Sequence, residues 1–381
     1  MNQNRDKTKR QLTYWRCVLA LKPLVGDMKI LVRTLLLFSL ASSASVANAG
    51  IVFNLTPTGN ASADAGFLAA ANYIQSQFDD NVTINLTTAF STLDPGILGS
   101  ASSTVAGYGF GAWRTAMTGD STSADDATMV ANLPAGSTYS RWINNTSTNG
   151  SPHLNTGLNN VRLSNANAKA LGLLSATAGA EDASIEFSDR FSWDFDQSDG
   201  IGAGLIDFVG VATHEIMHAM GFTSGVDILD INGTEMFTDA QFAPFVSGLD
   251  FTRQSAAAIA GGADLDWTVG TAAKDFSIDG GTTSLISNAF STGVNFGDGS
   301  QASHWKDSLG IGIMDPTSVA AGSMNIVTAF DLQALDVIGW NQGAAVPEPS
   351  SFAVFGLGLI GFGGYKLRRR RKSTATNATL T

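Results

Sequence analysis

His214-Glu215-Ile216-Met217-His218-Ala219-Met220-Gly221-Phe222 sets two histidines four residues apart, with a glutamate directly after the first and a glycine shortly beyond the second. Residues i and i+4 of a helix share one face, so the two imidazoles can meet one metal ion. Glu215 is offset by one position. There it can reach a metal-bound water but is poorly placed as a third ligand on that face. The chain holds four histidines and five glutamates in 381 residues. Composition alone would produce H-E-x-x-H in about one such chain in two thousand, so the motif is strong. Upstream, Leu205 to Thr213 is mostly apolar, with Ile206, Val209, Thr213 and Met217 at helical spacing and Phe208, Val211 and Ala212 on the neighbouring face. The pattern predicts a largely buried helix that Gly221 ends in the left-handed conformation. A dry wall strengthens charge interactions at a metal site. Without a metal, two buried imidazoles and a carboxylate would be costly unpaired groups.

A catalytic zinc site takes three protein ligands and keeps a fourth position open. Only His153 and His304 remain among the histidines. Where the helix motif extends to H-E-x-x-H-x-x-G-x-x-H, the third ligand lies three residues after the glycine. Ser224 stands there in this chain, and it is a poor zinc ligand. Asp227, Asp230 and Glu235 are nearby carboxylate alternatives. His304 is the better candidate because of its surroundings: Ser303-His304-Trp305, then Gly312-Ile313-Met314-Asp315-Pro316.

His304-Trp305 followed by Met314-Asp315-Pro316 resembles the distal half of a metzincin zinc-protease site. The layout is similar to that of leishmanolysin-like enzymes, in which an insertion separates Gly-Phe from the third histidine; here it runs from Thr223 to Ser303. The resemblance covers 205–222 and 303–317. It implies that His304 completes the zinc site with His214 and His218, and that Met314 sits in a turn beneath the metal. It also implies an α+β fold with a mixed twisted sheet, an active-site helix and a C-terminal lobe carrying the Met-turn. The implied activity is hydrolysis of peptide bonds through a metal-activated water, with Glu215 as general base. The tyrosine that some metzincins place just after the methionine is absent, which leaves oxyanion support to metal and backbone. The rival expectation is a non-catalytic surface adhesin or matrix protein with a structural metal site. An intact glutamate argues against it, because a structural site needs no base and closes its fourth position.

The ends of the chain predict export. Met28 to Arg33 starts a basic segment, Thr34 to Val46 is apolar, and Ala47-Asn48-Ala49 forms an A-x-A site, the pattern of a signal peptide cut by signal peptidase. Met28 is an alternative start, because 27 residues before it make the leader long. At the other end, Val346-Pro347-Glu348-Pro349 precedes an apolar stretch from Phe352 to Tyr365 and a cluster from Lys366 to Lys372. This resembles the PEP-CTERM sorting tail of Gram-negative bacteria, which implies processing by an exosortase-type membrane enzyme and delivery to the cell surface or matrix. The apolar stretch is barely long enough to span a bilayer, with its basic flank cytoplasmic. The expected organisation is a leader over 1–49, a catalytic domain over 50–345 with lobes 50–222 and 223–345, a sorting and transmembrane segment over 346–372, and a polar tail over 373–381.

Charge and cysteine usage agree with export. The single cysteine, Cys17, lies in the leader, so residues 50–345 hold no disulfide and no cysteine-based latency. That span has eight Lys and Arg against thirty Asp and Glu, a net charge of −22. So acidic a surface disfavours nucleic acid and anionic membranes as partners; the protein or peptide substrate is what the metzincin resemblance implies. Asp194, Asp196 and Asp199 before Gly200 read first as a solvated acidic turn, with calcium as the alternative occupant.

Between these landmarks, Ala63 to Phe78 predicts a helix, with Phe67, Ala71, Ile74 and Phe78 in phase. Val82, Ile84 and Leu86 alternate as in a strand, and Ile185, Phe187, Phe191 and Trp193 suggest a strand or hairpin. The metzincin resemblance implies an edge strand that binds substrate backbone by strand addition, and 184–193 is its candidate here. Thr328 to Ile338 predicts a closing helix with Phe330, Leu332, Leu335 and Ile338 apolar. Stretches 95–107 and 117–127, rich in Ser, Thr, Gly and Ala, predict long loops.

Overall fold

Strand β1 (Val52–Thr56) leads through helix α1 (Ala61–Gln75) into β2 (Thr83–Ser91), which pairs in parallel with β1. The computed structural model describes residues 50–232 and 236–343. Asn60 caps α1 by accepting hydrogen bonds from the backbone N–H groups of Ser62 and Ala63. The helix ends at Gln75, earlier than the apolar spacing suggests; Phe78 lies beyond it, buried in an isolated bridge to Gln342. Ile84, Leu86 and Thr88 of β2 are buried in alternation, as the sequence predicts.

The main sheet has four strands in the order β1-β2-β6-β3, where β3 is Gly99–Ser103 and β6 is Ala183–Ser188. β6 runs parallel to β2, with Leu86 opposite Ala183, and antiparallel to β3, with Ala101 opposite Ile185. The fold is therefore α+β with a mixed sheet. Two expectations are corrected here. The segment 184–188 is an interior strand paired on both sides; the edges of the sheet are β1 and β3, and of these β3 lines the cavity that holds the histidines. Stretch 95–107 is not a loop either. It holds β3 and the start of β4 (Val105–Gly109), which pairs with β5 (Asn160–Ser164). Glycine and serine disguise β3, because they lack the β-branched signature by which strands are recognised. Stretch 117–127 likewise spans the end of helix Phe110–Asp120 and the start of helix Ala124–Asn132, with Ser123 as the cap of the second.

Helix α2 (Phe208–Met220) carries the histidines. Asp207 caps it by accepting from the Gly210 N–H at 2.9 Å, and Gly221 ends it at φ 115°, a left-handed turn that glycine makes without a Cβ clash. The helix packs against α1 and beside β3. Gly66 of α1 makes that contact close: a Cβ there would lie 2.4 Å from Cδ1 of Phe208. Phe208, Phe67 and Phe187 form an aromatic cluster with centroids 4.6 to 5.1 Å apart, joining α2, α1 and the sheet. Buried phenylalanines each contribute about 1.5–3 kcal/mol by area, so this cluster holds the N-terminal turn of α2 firmly on the sheet.

Both expected lobes contribute to one buried apolar core, which runs from Ile51 to Trp340. The long insertion after Phe222 is closed at its base by buried acids. Asp250 accepts from the Ser224 hydroxyl at 2.5 Å, the Gly225 N–H at 3.0 Å, the Ser247 N–H at 2.8 Å and the Trp267 indole at 2.9 Å. Asp227 accepts from the Ala302 N–H at 2.6 Å and from the Ser303 hydroxyl. The Ser303 hydroxyl in turn accepts from the Ser224 N–H at 2.8 Å. The two ends of the insertion therefore meet, and His304 emerges beside the segment that follows α2.

The closing helix α3 (Ala329–Asp336) has a different inward face from the one its apolar spacing suggests. Leu335 and Ile338 are buried as expected, but Phe330 is 38 % exposed and Asp331 is fully buried. Among the described residues, no helix is long and apolar enough to cross a membrane. The leader, Glu235 and the sorting tail lie outside the described residues.

Candidate metal centre

Every residue of α2 is buried except His214 and His218, which open onto a cavity of about 910 Å³. Glu215, His304 and β3 line the same cavity. Nε2 of His218 lies 3.1 Å from Nε2 of His214 and 3.2 Å from Nε2 of His304. Among the described residues, these three histidines are the only group of three or more His, Cys, Asp or Glu side chains arranged to hold one ion.

The other ring nitrogens explain what these short distances mean. Nδ1 of His214 lies 2.7 Å from the carbonyl of Ile313, Nδ1 of His218 lies 2.7 Å from that of Phe222, and Nδ1 of His304 lies 3.3 Å from that of Gln301. A carbonyl only accepts, so each Nδ1 carries the hydrogen and each Nε2 presents a lone pair. The contacts between Nε2 atoms are thus not hydrogen bonds but opposed lone pairs. Burial lowers all three imidazole pKa values, that of His304 to about 3, so added protons do not relieve the opposition. A shared cation does. Two nitrogens bound tetrahedrally at about 2.0–2.1 Å stand roughly 3.3–3.4 Å apart, close to the observed spacing. The donor set fits zinc, and the carbonyls behind each ring are the outer partners that metal-binding histidines use to fix their tautomer.

Glu215 is buried beside this cluster, and burial raises its pKa to about 8. No hydrogen bond holds its carboxylate among the described residues. Met314 is fully buried in the turn after Ile313, whose carbonyl anchors His214. A residue that the sequence reading missed organises this turn. Asp331 accepts from Ile313 N–H at 2.9 Å, Met314 N–H at 3.2 Å, Trp305 indole N–H at 2.8 Å and Thr328 N–H at 2.7 Å. It therefore ties the residue after His304 to the residue that anchors His214. The Thr328-x-x-Asp331 capping box was a visible signal of the helix start, though not of this role.

The alternative ligands are committed elsewhere. Asp227 closes the insertion, and Asp230 accepts from Asn295 N–H at 2.8 Å and Phe296 N–H at 2.9 Å. Neither joins the histidine cluster. His153 lies apart, 2.8 Å from Asp239. The Asp194, Asp196 and Asp199 segment forms a turn: Asp194 accepts from Asp196 N–H and Gly202 N–H, and Asp196 from Ser198 N–H. The hydrogen bond from Ser198 also lowers the Asp196 pKa. The three do not group as metal ligands.

Beyond the described residues the comparison with known families is informative. Residues 345–371 match the PEP-CTERM protein-sorting motif. The motif implies export, processing by an exosortase-type enzyme and delivery to the bacterial cell surface or the extracellular space. It covers the tail alone. No curated protein and no solved structure matches the chain.

Proposed function

We propose that this sorted, exported protein is a zinc-dependent endopeptidase of metzincin-like design. The observation that carries the reading is the convergence of three Nε2 lone pairs from His214, His218 and His304, each ring fixed from behind by a backbone carbonyl. Zinc held there would supply Lewis acidity to a peptide carbonyl and to water. Glu215 takes the proton from the attacking water on its carboxylate and passes it to the departing amine. Its buried setting, which favours the protonated form, suits the second of these tasks.

The free edge of β3 provides the place for substrate. Its outer backbone groups lack a strand partner, and it lies along α2, with the Ser103 hydroxyl 3.4 Å from the His218 carbonyl. An extended peptide can add to this edge by backbone hydrogen bonds. Signal peptidase, and transient anchoring by the tail before exosortase-type processing, complete the proposed route to the surface.

Casein hydrolysis by the purified, zinc-loaded protein tests the reading. Glu215→Gln should lower turnover by about 10²–10⁴ while the zinc content stays near one per chain. A wild type that binds zinc but cleaves neither casein nor gelatin would favour the structural-site rival instead.

A further inference from the structure

Residues 50–345 contain only eight basic side chains against thirty acidic ones. Most of the eight are committed inside the fold. Lys169, Lys274 and Lys306 pair with Asp182, Asp266 and Asp298. Arg141 donates to the carbonyls of Asp239 and Phe242, and Arg253 donates to those of Ser291 and Ala302. Arg162 is the one Lys or Arg that lines the cavity shared with the histidine cluster. It has no carboxylate within ion-pair distance, and no hydrogen bond from its guanidinium, among the described residues.

Its position is built. The Arg162 N–H donates to the Val246 carbonyl at 2.8 Å, and the guanidinium lies over the Phe245 ring at 5.1 Å. Ser247, which bridges to Arg162, donates its hydroxyl to the Thr223 carbonyl at 2.6 Å, so this wall is tied to the segment that follows α2. Stacking on an aromatic ring orients the plane of a guanidinium and leaves its N–H edge for a carboxylate. Arg162 also lies opposite Gly107 in the β4–β5 pair, just after β3 passes Ser103 and the His218 carbonyl. A peptide laid along β3 would reach Arg162 within a few residues. Of the three acids that line the same cavity, Asp227 is bound to Ala302 and Ser303, Asp315 interacts with Thr317, and Glu215 lies beside the histidines; none pairs with Arg162.

We propose that Arg162, stacked on Phe245, forms a subsite for a carboxylate of the substrate peptide, supplied by an aspartate or glutamate side chain or by a chain end. The proposal rests on the endopeptidase reading. It gives an otherwise strongly acidic protein a local preference for acidic sequence.

The test uses the zinc-loaded full chain and a library of acetylated, C-terminally amidated peptides in which Glu, Gln or Lys is scanned through each position. A parallel arm carries free C-termini. Glu at one position should raise kcat/KM about tenfold over Gln, the scale of a charge-assisted hydrogen bond. Arg162→Gln should remove that gain, and Arg162→Glu should turn it towards Lys, with zinc content and Tm unchanged in both. A gain confined to free C-termini, and lost in Arg162→Gln, assigns the carboxylate to the chain end. An active wild type without acidic preference, or with a preference that survives Arg162→Gln, overturns the subsite while the endopeptidase reading stands. Fluorescence anisotropy of labelled Glu and Gln peptides on Glu215→Gln separates the remaining cases. Binding that depends on Arg162, beside a wild type that cleaves nothing, keeps the subsite and removes the hydrolase reading; neither binding nor cleavage overturns both.

Discussion

Asp331→Ala removes one carboxylate and strands three buried donors, the N–H groups of Ile313 and Met314 and the Trp305 indole, and one half-buried donor, the Thr328 N–H. Each unsatisfied buried donor costs about 1–3 kcal/mol, and water entering the space left by the carboxylate offsets part of it. The sum sits at about 3–5 kcal/mol, in the tail of single-mutation effects. For a domain of this size that is a Tm decrease of roughly 5–8 °C. The same change loosens the Ile313 carbonyl behind His214 and the indole next to His304. Zinc affinity should therefore fall about 10–100-fold, as it does when outer partners of metal-binding histidines are lost. Asp331→Asn keeps one acceptor oxygen and should fall between the variant and the wild type. Urea denaturation of the metal-free protein measures the first effect, and competition with a chromophoric chelator measures the second. An Asp331→Ala protein with unaltered stability and zinc affinity would refute this account of how the 304–314 segment is held.

His304→Ala should abolish stoichiometric zinc binding and Asp230→Asn should leave it intact, read by metal analysis after dialysis; retention of zinc by His304→Ala would return the ligand question to the carboxylates. Gly66→Ala pits the gain of about 0.5–1 kcal/mol for alanine in a helix against a Cβ 2.4 Å from the Phe208 ring. Overpacking costs about 1–3 kcal/mol, so the variant should be less stable by chemical denaturation. Burial raises the pKa of Asp80 to about 6. The folded state then holds this proton where the unfolded chain, near the ordinary aspartate value, has released it, so its contribution declines as pH rises from about 4 to 6 and stays low above that. Asp80→Asn retains an acceptor for the Asn341 N–H and should gain roughly 1–2 kcal/mol on the wild type between pH 4 and pH 7; a difference independent of pH would refute the burial argument.

The helix Phe208–Met220 and the shared face of its two histidines were legible because they are local. Four-residue spacing, an apolar surround and a terminating glycine belong to one continuous stretch, and helical geometry converts that spacing directly into a shared face. The tail was legible for the same reason, as a contiguous motif. The strand β3 was not. Whether a strand is an edge or an interior one is a property of its neighbours, and Ile185 and Phe187 look alike in either place. Gly99–Ser103 carries no apolar alternation, so it read as loop until the antiparallel pairing with Ala183–Ser188 revealed it. His304 was nominated from the few histidines left and from the resemblance around it; its approach depends on closure of the insertion by Asp227, Asp250 and Ser303, whose hydrogen bonds span 25 to 79 positions. Asp331 drew no notice in the sequence, and only its burial against Gly312 and Trp305 makes it a support of the histidine cluster. The amino-acid order by itself determined which helix presents imidazoles and where the chain is sent, because periodicity and contiguous motifs act over a few residues. Tertiary structure alone decided which third histidine meets them, which edge strand borders the cleft and which arginine faces it, because those depend on distant segments satisfying each other's buried polar groups.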